Sequence, residues 1–328
     1  MESDSGGRRH KAGGGGSVLF GAEARERAKK LDLLKKRLPQ KALRSVKRES
    51  KLLDLGAASR NMTFLVCRIR GFAAIVDSFA GDPEGLSRLV RRALTPMVQA
   101  VHDRGGTIDR IMPGGLTAFF NAPLDDPDHA VHGCECALSI LNSMEKVNRI
   151  LEQGRHPDGT PFDSIGIGIG LNTGPGIVGN FGTESEPDYG ATGHAARMAD
   201  EIEKLSTNYG TAILVGHSTR ALAERSFAFL EVDVLPEGNS DPAPLFALLG
   251  SPLSRANPKF LALKAFHENI FQAYRNRQWD KARGLITQCR TLSGANPVLY
   301  DLYSQRIEYY QQHPPAANWN GIFEASHS

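Results

Sequence analysis

Three arginines stand where this chain could grip an anion: Arg68 near the end of an apolar run, Arg110 just ahead of a Pro113-Gly114-Gly115 turn, and Arg197 in a helical stretch. A guanidinium stays charged at any relevant pH and presents a planar fork of donors, so such residues can hold phosphate without a metal. Glu201 lies four residues beyond Arg197, one helical turn along, and opposes that use. Divalent-metal chemistry asks for carboxylates instead. Asp125, Asp126 and Asp128 cluster, but they read as loop and helix-cap residues, and His194 reads as a helix-start residue. Among the four cysteines, Cys134 and Cys136 are one residue apart and form no zinc-type pair, while Cys67 lies in the apolar run and reads as core. This usage predicts a reducing, cytoplasmic setting.

The hydrophobic pattern supplies elements to position these residues. Residues 62–69 read as a buried strand, and Gly71 then turns the chain. A helix is expected over 83–104, capped by Asp82 with Pro83 at its first position. Strands 107–112 and 116–120 flank the Pro-Gly-Gly turn, and a second long helix runs from Pro127-Asp128 to 152. Ile165, Ile167, Ile169 and Leu171 then alternate with small residues. Asn172-Thr173-Gly174 reads as a turn, with Ile177-Val178 opening a return strand. A helix over 195–205, a strand over 212–215, a short helix and closing strands 227–234 and 244–249 complete the pattern. Paired strands between helices predict an α+β sandwich: a mostly antiparallel sheet with packed helices.

The ends differ from the body. Residues 1–17, with Gly13-Gly14-Gly15-Gly16-Ser17, are expected to be a disordered tail without signal-peptide character. Residues 18–58 read as a basic helical segment in which Leu31, Leu34 and Leu38 share a face and Pro39 interrupts. That seam is a candidate for a short coiled coil with a second copy. Residues 1–51 hold 15 Lys+Arg against six Asp+Glu, so a positive arm precedes a negative body. Contact of this arm with an anionic membrane surface is one expectation. Nucleic acid is not expected, because the arm has only Phe20 for base stacking. Residues 258–312 turn helical again, as a hairpin plus one helix similar to a single tetratricopeptide-type unit. One such unit cannot cover its own apolar face and must pack on the body or a partner. No stretch of the chain is long and apolar enough to span a bilayer.

At Ile69-Arg70-Gly71-Phe72 the chain resembles the first-strand motif of class III adenylate and guanylate cyclases. Three further segments agree in order. Arg110 to Phe120 is similar to the family's metal-binding hairpin. Gly166 to Gly174 followed by Val178 to Gly182 resembles its next hairpin, and Asp188-Tyr189 through Glu203 resembles the segment carrying base- and phosphate-binding groups. The resemblance covers 59–250, leaving 251–328 as a helical extension. Trp279-Asp280-Lys281-Ala282 and Pro314 to Gly321 in that extension resemble the C-termini of bacterial cyclases.

The resemblance implies a phosphorus–oxygen lyase that closes a nucleoside triphosphate into a cyclic product with two divalent ions, at sites shared between two subunits. It also places each site residue. One metal carboxylate falls at Arg68 and the second at Gly114. The base-reading lysine falls at Arg110 and the second base reader, usually Asp or Thr, at Gly190. The ribose-positioning asparagine falls at Arg197, the transition-state arginine at Glu201, and a phosphate-binding lysine at Glu237. Two acids are lost and a cation gained at the metal half, and the transition-state cation has become an acid. No catalytic residue of the family is intact, and no metal is expected. Asp109 is a substitute ligand by proximity, but its place on the strand predicts that it points to the other face.

These replacements imply a cyclase-homology signalling protein that has lost catalysis and acts by dimerisation, with itself or another cyclase-type domain, or through another protein on the C-terminal helices. The reversed polarity suggests Arg68 of one copy facing Glu201 and Glu237 of another, with the Gly-rich 166–182 segment in the contact. The alternatives are an active adenylate cyclase using Mg or Mn with ATP, and a nucleotide sensor without turnover. In the sensor, Arg68, Gly71, Phe72, Arg110 and Arg197 are the phosphate-contact candidates.

Overall fold

The computed structural model describes residues 15–48, 56–155, 159–183, 186–237 and 240–323, with the side chains of 15–23, 41, 237, 240 and 241 outside that set. Two helices lead, α1 (Gly15–Lys35) and α2 (Gln40–Arg48), and the body begins with β1 (Ala58–Ile69). Then come α3 (Phe72–Ser78), α4 (Pro83–Asp103), β2 (Thr107–Met112), β3 (Gly115–Phe120) and α5 (His129–Leu151). The chain continues through β4 (Ile167–Asn180), β5 (Tyr189–Thr192), α6 (His194–Leu205), β6 (Ile213–Val215), α7 (His217–Ala223), β7 (Ala228–Glu237) and β8 (Ser240–Gly250). It ends in α8 (Pro252–Ala256), α9 (Pro258–Arg275), α10 (Trp279–Cys289) and α11 (Pro297–Gln312).

The strands form one sheet in the order β2-β3-β1-β4-β6-β8-β7, with β5 pairing β4. All pairings are antiparallel except β4 with β6. This is the expected α+β arrangement. Asp82 caps α4 as its sequence suggests, its side chain accepting from the Gly85 amide at 2.8 Å.

One local expectation is overturned. Residues 166–180 form no hairpin at Asn172-Thr173-Gly174. β4 runs straight through and pairs with β1 from Ile69 opposite Ile167 to Ala58 opposite Val178. The return strand is β5. A turn-like triplet loses to a long partner strand that pairs with the segment along its whole length.

The alternation in β4 explains its glycines. Ile167, Ile169 and Leu171 face the α4/α5 layer together with Leu65, Cys67 and Ile69 of β1. The intervening glycines face α6. A Cβ on Gly170 would collide with the Ala199 carbonyl, and one on Gly168 with the Glu203 carboxylate. The run is therefore a close-packing surface used by the chain's own helix.

The N-terminal segment also turns inward. Pro39 separates α1 from α2, and Leu34, Leu38, Leu43 and Val46 are buried against Met62, Phe64, Val66 and Phe119. The seam expected to pair with a second copy is thus covered by the sheet. Gly15–Ser17 already belong to α1, which corrects the expectation of disorder there; the remainder of 1–17 lies outside the described residues.

The C-terminal helices share a core with the body. Leu263, Ile270, Tyr303 and Ile307 pack with Ile202, Leu214, Val232 and Leu245. Arg306 pairs with Asp233 of β7 at 2.7 Å in a nearly closed environment. The Tyr303 hydroxyl donates to the Val232 carbonyl at 3.0 Å. Among the described residues no helix is long and apolar enough to cross a membrane.

Candidate functional site

The residues singled out from the sequence gather where β1 ends, the β2–β3 turn folds over, and α6 crosses the sheet. Arg68 sits opposite Gly115 on one side and Gly168 on the other. A Cβ on Gly115, at φ 157°, would strike the Cys67 carbonyl, so only glycine lets the turn lie this close to β1. Flanked by two glycines, the Arg68 side chain runs free along the sheet to α6.

There it is bound. Arg68 donates to Glu203 Oε2 at 2.6 Å and, more closely still, to Asp200 Oδ1. Asp200 in turn holds Lys204 at 2.6 Å. The Glu203 side chain is 7% exposed, and pairing with Arg68 offsets the desolvation of that buried acid. Burial works against the Arg68 charge, but the hydrogen bonds and fields of Asp200 and Glu203 outweigh it and raise its pKa. The Asp200 carboxyl is pushed down, because hydrogen bonds from Lys204 and Arg68 overcome its desolvation. The partner expected for Arg68 was Glu201 of another copy. Within the chain, Arg68 is already taken by residues one position before and two after Glu201.

Gly114, which the resemblance assigns to the second metal ligand, is crowded from another side. A Cβ on Gly114 would meet the Phe72 ring at 3.1 Å. Phe72 opens α3 after Gly71, which adopts φ 62°. Arg70 donates to the Thr211 carbonyl at 2.6 Å and Ser206 Oγ at 3.1 Å, which ties it to the loop after α6. A guanidinium at one of the two positions that the resemblance assigns to metal ligands, and an aromatic ring against the other, do not fit a pair of divalent cations. Among the described residues, no group of three His, Cys, Asp or Glu side chains could hold a metal ion.

A cavity of about 350 Å³ lies beside this network, between α6, β5 and the β1–β3 surface. Arg197, Asp200, Glu201 and Lys204 of α6 line it. Its floor is apolar, from Phe64, Val66, Ala118, Ala191 and Ala196. Asp109 also lines it, which corrects the expectation that this residue points away. The β2–β3 register shifts between Ile108 and Arg110, and the intervening Asp109 is left on the cavity side. Its carboxylate accepts from Thr117 Oγ1 at 3.0 Å and from the Ala191 amide at 3.2 Å. A Cβ on Gly190 would lie 2.7 Å from Asp109 Oδ1.

The other candidates fall outside this grouping. Arg110 is exposed on β2 and pairs in register with Thr117. Glu237 ends β7, at the sheet edge opposite β2, and its side chain is outside the described set. Asp126 holds His132 Nδ1 at 2.8 Å, and Asp125 holds Arg60 at 2.9 Å. Sequence reasoning missed Asp200 and Glu203, although their three-residue spacing puts both on one helix face. It also missed Arg37, which donates to the Asp109 carbonyl and to the Asp188 carboxylate.

A mostly antiparallel sheet, with α6 laid on its glycine face and a turn folded over the end of β1, defines a cyclase-type domain. No family model matches the chain. An adenylate cyclase from Anabaena cylindrica is 32% identical over 169 residues, 51% of this chain and 32% of that protein. Adenylate cyclase 1 of Rhizobium meliloti (strain 1021) is 32% identical over 117 residues, 36% of this chain and 16% of that protein. The chain thus spans a third or less of these relatives. Among solved structures, the guanylyl cyclase Cya2 superposes with a TM-score of 0.51 at 27% identity, covering 60% of this chain and 95% of that one. The adenylyl cyclase CyaB from P. aeruginosa superposes with a TM-score of 0.53 at 25% identity, covering 60% and 97%. The chain carries a class III cyclase homology domain.

Proposed function

We propose that this domain does not turn over nucleoside triphosphates and acts as a cyclase-type interaction module. The observation that carries the reading is Arg68. A permanent cation, pinned by Asp200 and Glu203, occupies a position where the family resemblance calls for a metal carboxylate. Two-metal activation of a nucleophile needs negative ligands, and a guanidinium there repels the ion. Gly114 against Phe72 and Glu201 in place of a transition-state cation support the same conclusion. The partner is a second copy or another cyclase-type domain. The buried, unpaired cysteines fit a cytoplasmic setting. The exposed cations Arg44, Lys47 and Arg48 of α2 suit peripheral contact with an anionic membrane.

The second reading, an active adenylate cyclase, rests on the relatives' names. One assay separates the two. The full chain is incubated with ATP or GTP and Mn²⁺, and cyclic product is measured by mass. No product above a protein-free control is expected. Product that disappears in an Arg197→Ala variant would replace this reading with the enzymatic one.

A further inference from the structure

Where β8 runs into α8 and α9, the chain shows apolar side chains that its own core does not use. Leu253 of α8 is 86% exposed, and Leu222 of α7, Leu249 of β8 and Leu261 of α9 are each about half-exposed. One junction holds these elements together. Arg255 of α8 donates to the Arg225 carbonyl, just beyond α7, at 2.9 Å. Asn257 caps α9 by accepting from the Lys259 amide at 2.9 Å. Ser254 packs on Gly250, and its neighbour Leu253 is left outside. The charge around these leucines has one sign. From 242 to 267 the chain holds Arg255, Lys259 and Lys264 and no acidic residue. Lys264 is taken by Glu268 at 3.6 Å, and the nearby Glu224 is taken by Arg220 at 2.9 Å. Arg225, Arg255 and Lys259 are exposed and form no ion pair among the described residues.

Exposed leucines among unpaired cations match an anionic lipid interface, where apolar side chains enter the acyl boundary and cationic ones stay at the headgroups. A leucine that stands this far out of the surface demands a fitted pocket from a rigid partner, whereas a fluid lipid layer opens around it. The N-terminal arm offers a different combination. The cations of α2 face outward, but its leucine is buried on the sheet, so the arm supplies charge without insertion. We infer that the corner formed by α7, α8 and α9 docks on an anionic membrane surface. Leu253 and Leu261 enter the acyl boundary, and Arg225, Arg255 and Lys259 lie at the headgroups. The inference goes beyond the non-catalytic reading and does not depend on it. Each cation near such a surface strengthens binding about fivefold. Burial of one leucine side chain strengthens it about tenfold.

The test is co-sedimentation of the full chain with vesicles of phosphatidylcholine alone, or of phosphatidylcholine and phosphatidylglycerol in equal parts. Partitioning to the mixed vesicles is expected to be at least tenfold stronger. Leu253→Ser should weaken it at least fivefold, and Arg225→Gln combined with Lys259→Gln at least tenfold. Both variants are checked for an unchanged circular dichroism spectrum and melting midpoint. Should the double variant fail that check, the Leu253→Ser comparison stands alone, since Leu253 lies outside the core. The Leu253→Ser loss should persist when Arg44, Lys47 and Arg48 of α2 are all replaced by glutamine. Equal partitioning to the two vesicle types, partitioning to neither, or a Leu253→Ser variant that partitions as the parent does overturns the inference. Sedimentation velocity covers the other occupant: if Leu253→Ser breaks a dimer and leaves vesicle partitioning intact, the surface belongs to a second copy and the inference falls. None of these outcomes touches the question of turnover. Conversely, cyclic product from Mn²⁺ and ATP would overturn the non-catalytic reading without altering vesicle partitioning.

Discussion

Replacing Arg68 with alanine removes the cation that Glu203 faces at 2.6 Å. Stranding one member of a fully buried ion pair costs about 3–5 kcal/mol. The Arg68 side chain is 34% exposed, so water can enter the space it vacates, which lowers the cost to about 2 kcal/mol. Loss of the Asp200 arm adds about 0.5 kcal/mol at most, because Asp200 is one-third exposed and keeps Lys204. Glu203→Ala is expected to destabilise similarly by freeing Arg68. The double variant should then be less damaged than the sum of the singles by about 1.5 kcal/mol, a coupling typical of residues in one network. Urea unfolding of the four proteins, followed by circular dichroism, measures this. Additivity within about 0.5 kcal/mol would show that Arg68 and Glu203 do not depend on each other, and the pinned cation would lose its basis.

The remaining predictions concern other parts of the molecule. Burial depresses the His267 pKa to about 3 from 6.5. Its neutral ring sits among the Tyr300 hydroxyl and the Glu231 carbonyl. The unfolded chain binds a proton below 6.5 that the folded one refuses, so this contribution is whole above pH 6.5 and is lost as pH falls toward 3. The slope in that window is about 1.4 kcal/mol per pH unit, and His267→Gln should flatten the stability–pH curve by that amount; an unchanged curve refutes it. Arg306→Met leaves buried Asp233 with no cation, accepting only from the Tyr209 and Tyr303 hydroxyls at 2.6 and 3.3 Å and the Val234 amide at 2.8 Å. It should cost about 3 kcal/mol. Because the C-terminal helices share a core with the sheet, calorimetry should show the variant's single transition moving down intact; two separated transitions would contradict that. Gly170→Ala drives a methyl into the Ala199 carbonyl and to within 2.5 Å of the Glu203 amide, and backbone cannot step aside cheaply. A loss of more than about 3 kcal/mol is expected in urea unfolding, and a loss below about 1 kcal/mol would mean that α6 is not seated on β4 as described.

Elements with strong periodicity were legible in the sequence. The Asp82 cap, the Pro39 break and the strands around Pro113-Gly114-Gly115 fall where the residues place them, because each rests on local chemistry. Asn172-Thr173-Gly174 misled because turn propensity is local, while the pairing of β4 with β1 is a long-range contact that the triplet does not encode. The Gly168 and Gly170 pattern was visible, but its meaning depended on which helix lay above it. The site was legible as a set of replaced positions, not as a set of contacts. Asp200 and Glu203 have no distinguishing motif, and their role appears only once Arg68 is seen reaching α6. Strict alternation along β2 predicts the wrong face for Asp109, because the register shift between Ile108 and Arg110 breaks that alternation.

The bound cation at residue 68 is expected to bar divalent ions from the cleft. Electron paramagnetic resonance of Mn²⁺, titrated into the full chain with a non-hydrolysable ATP analogue, reads this directly. The Mn²⁺ signal is expected to match that of the analogue alone at every protein concentration. A protein-dependent signal from two coupled Mn²⁺ ions, present with Arg68 intact, would contradict the account.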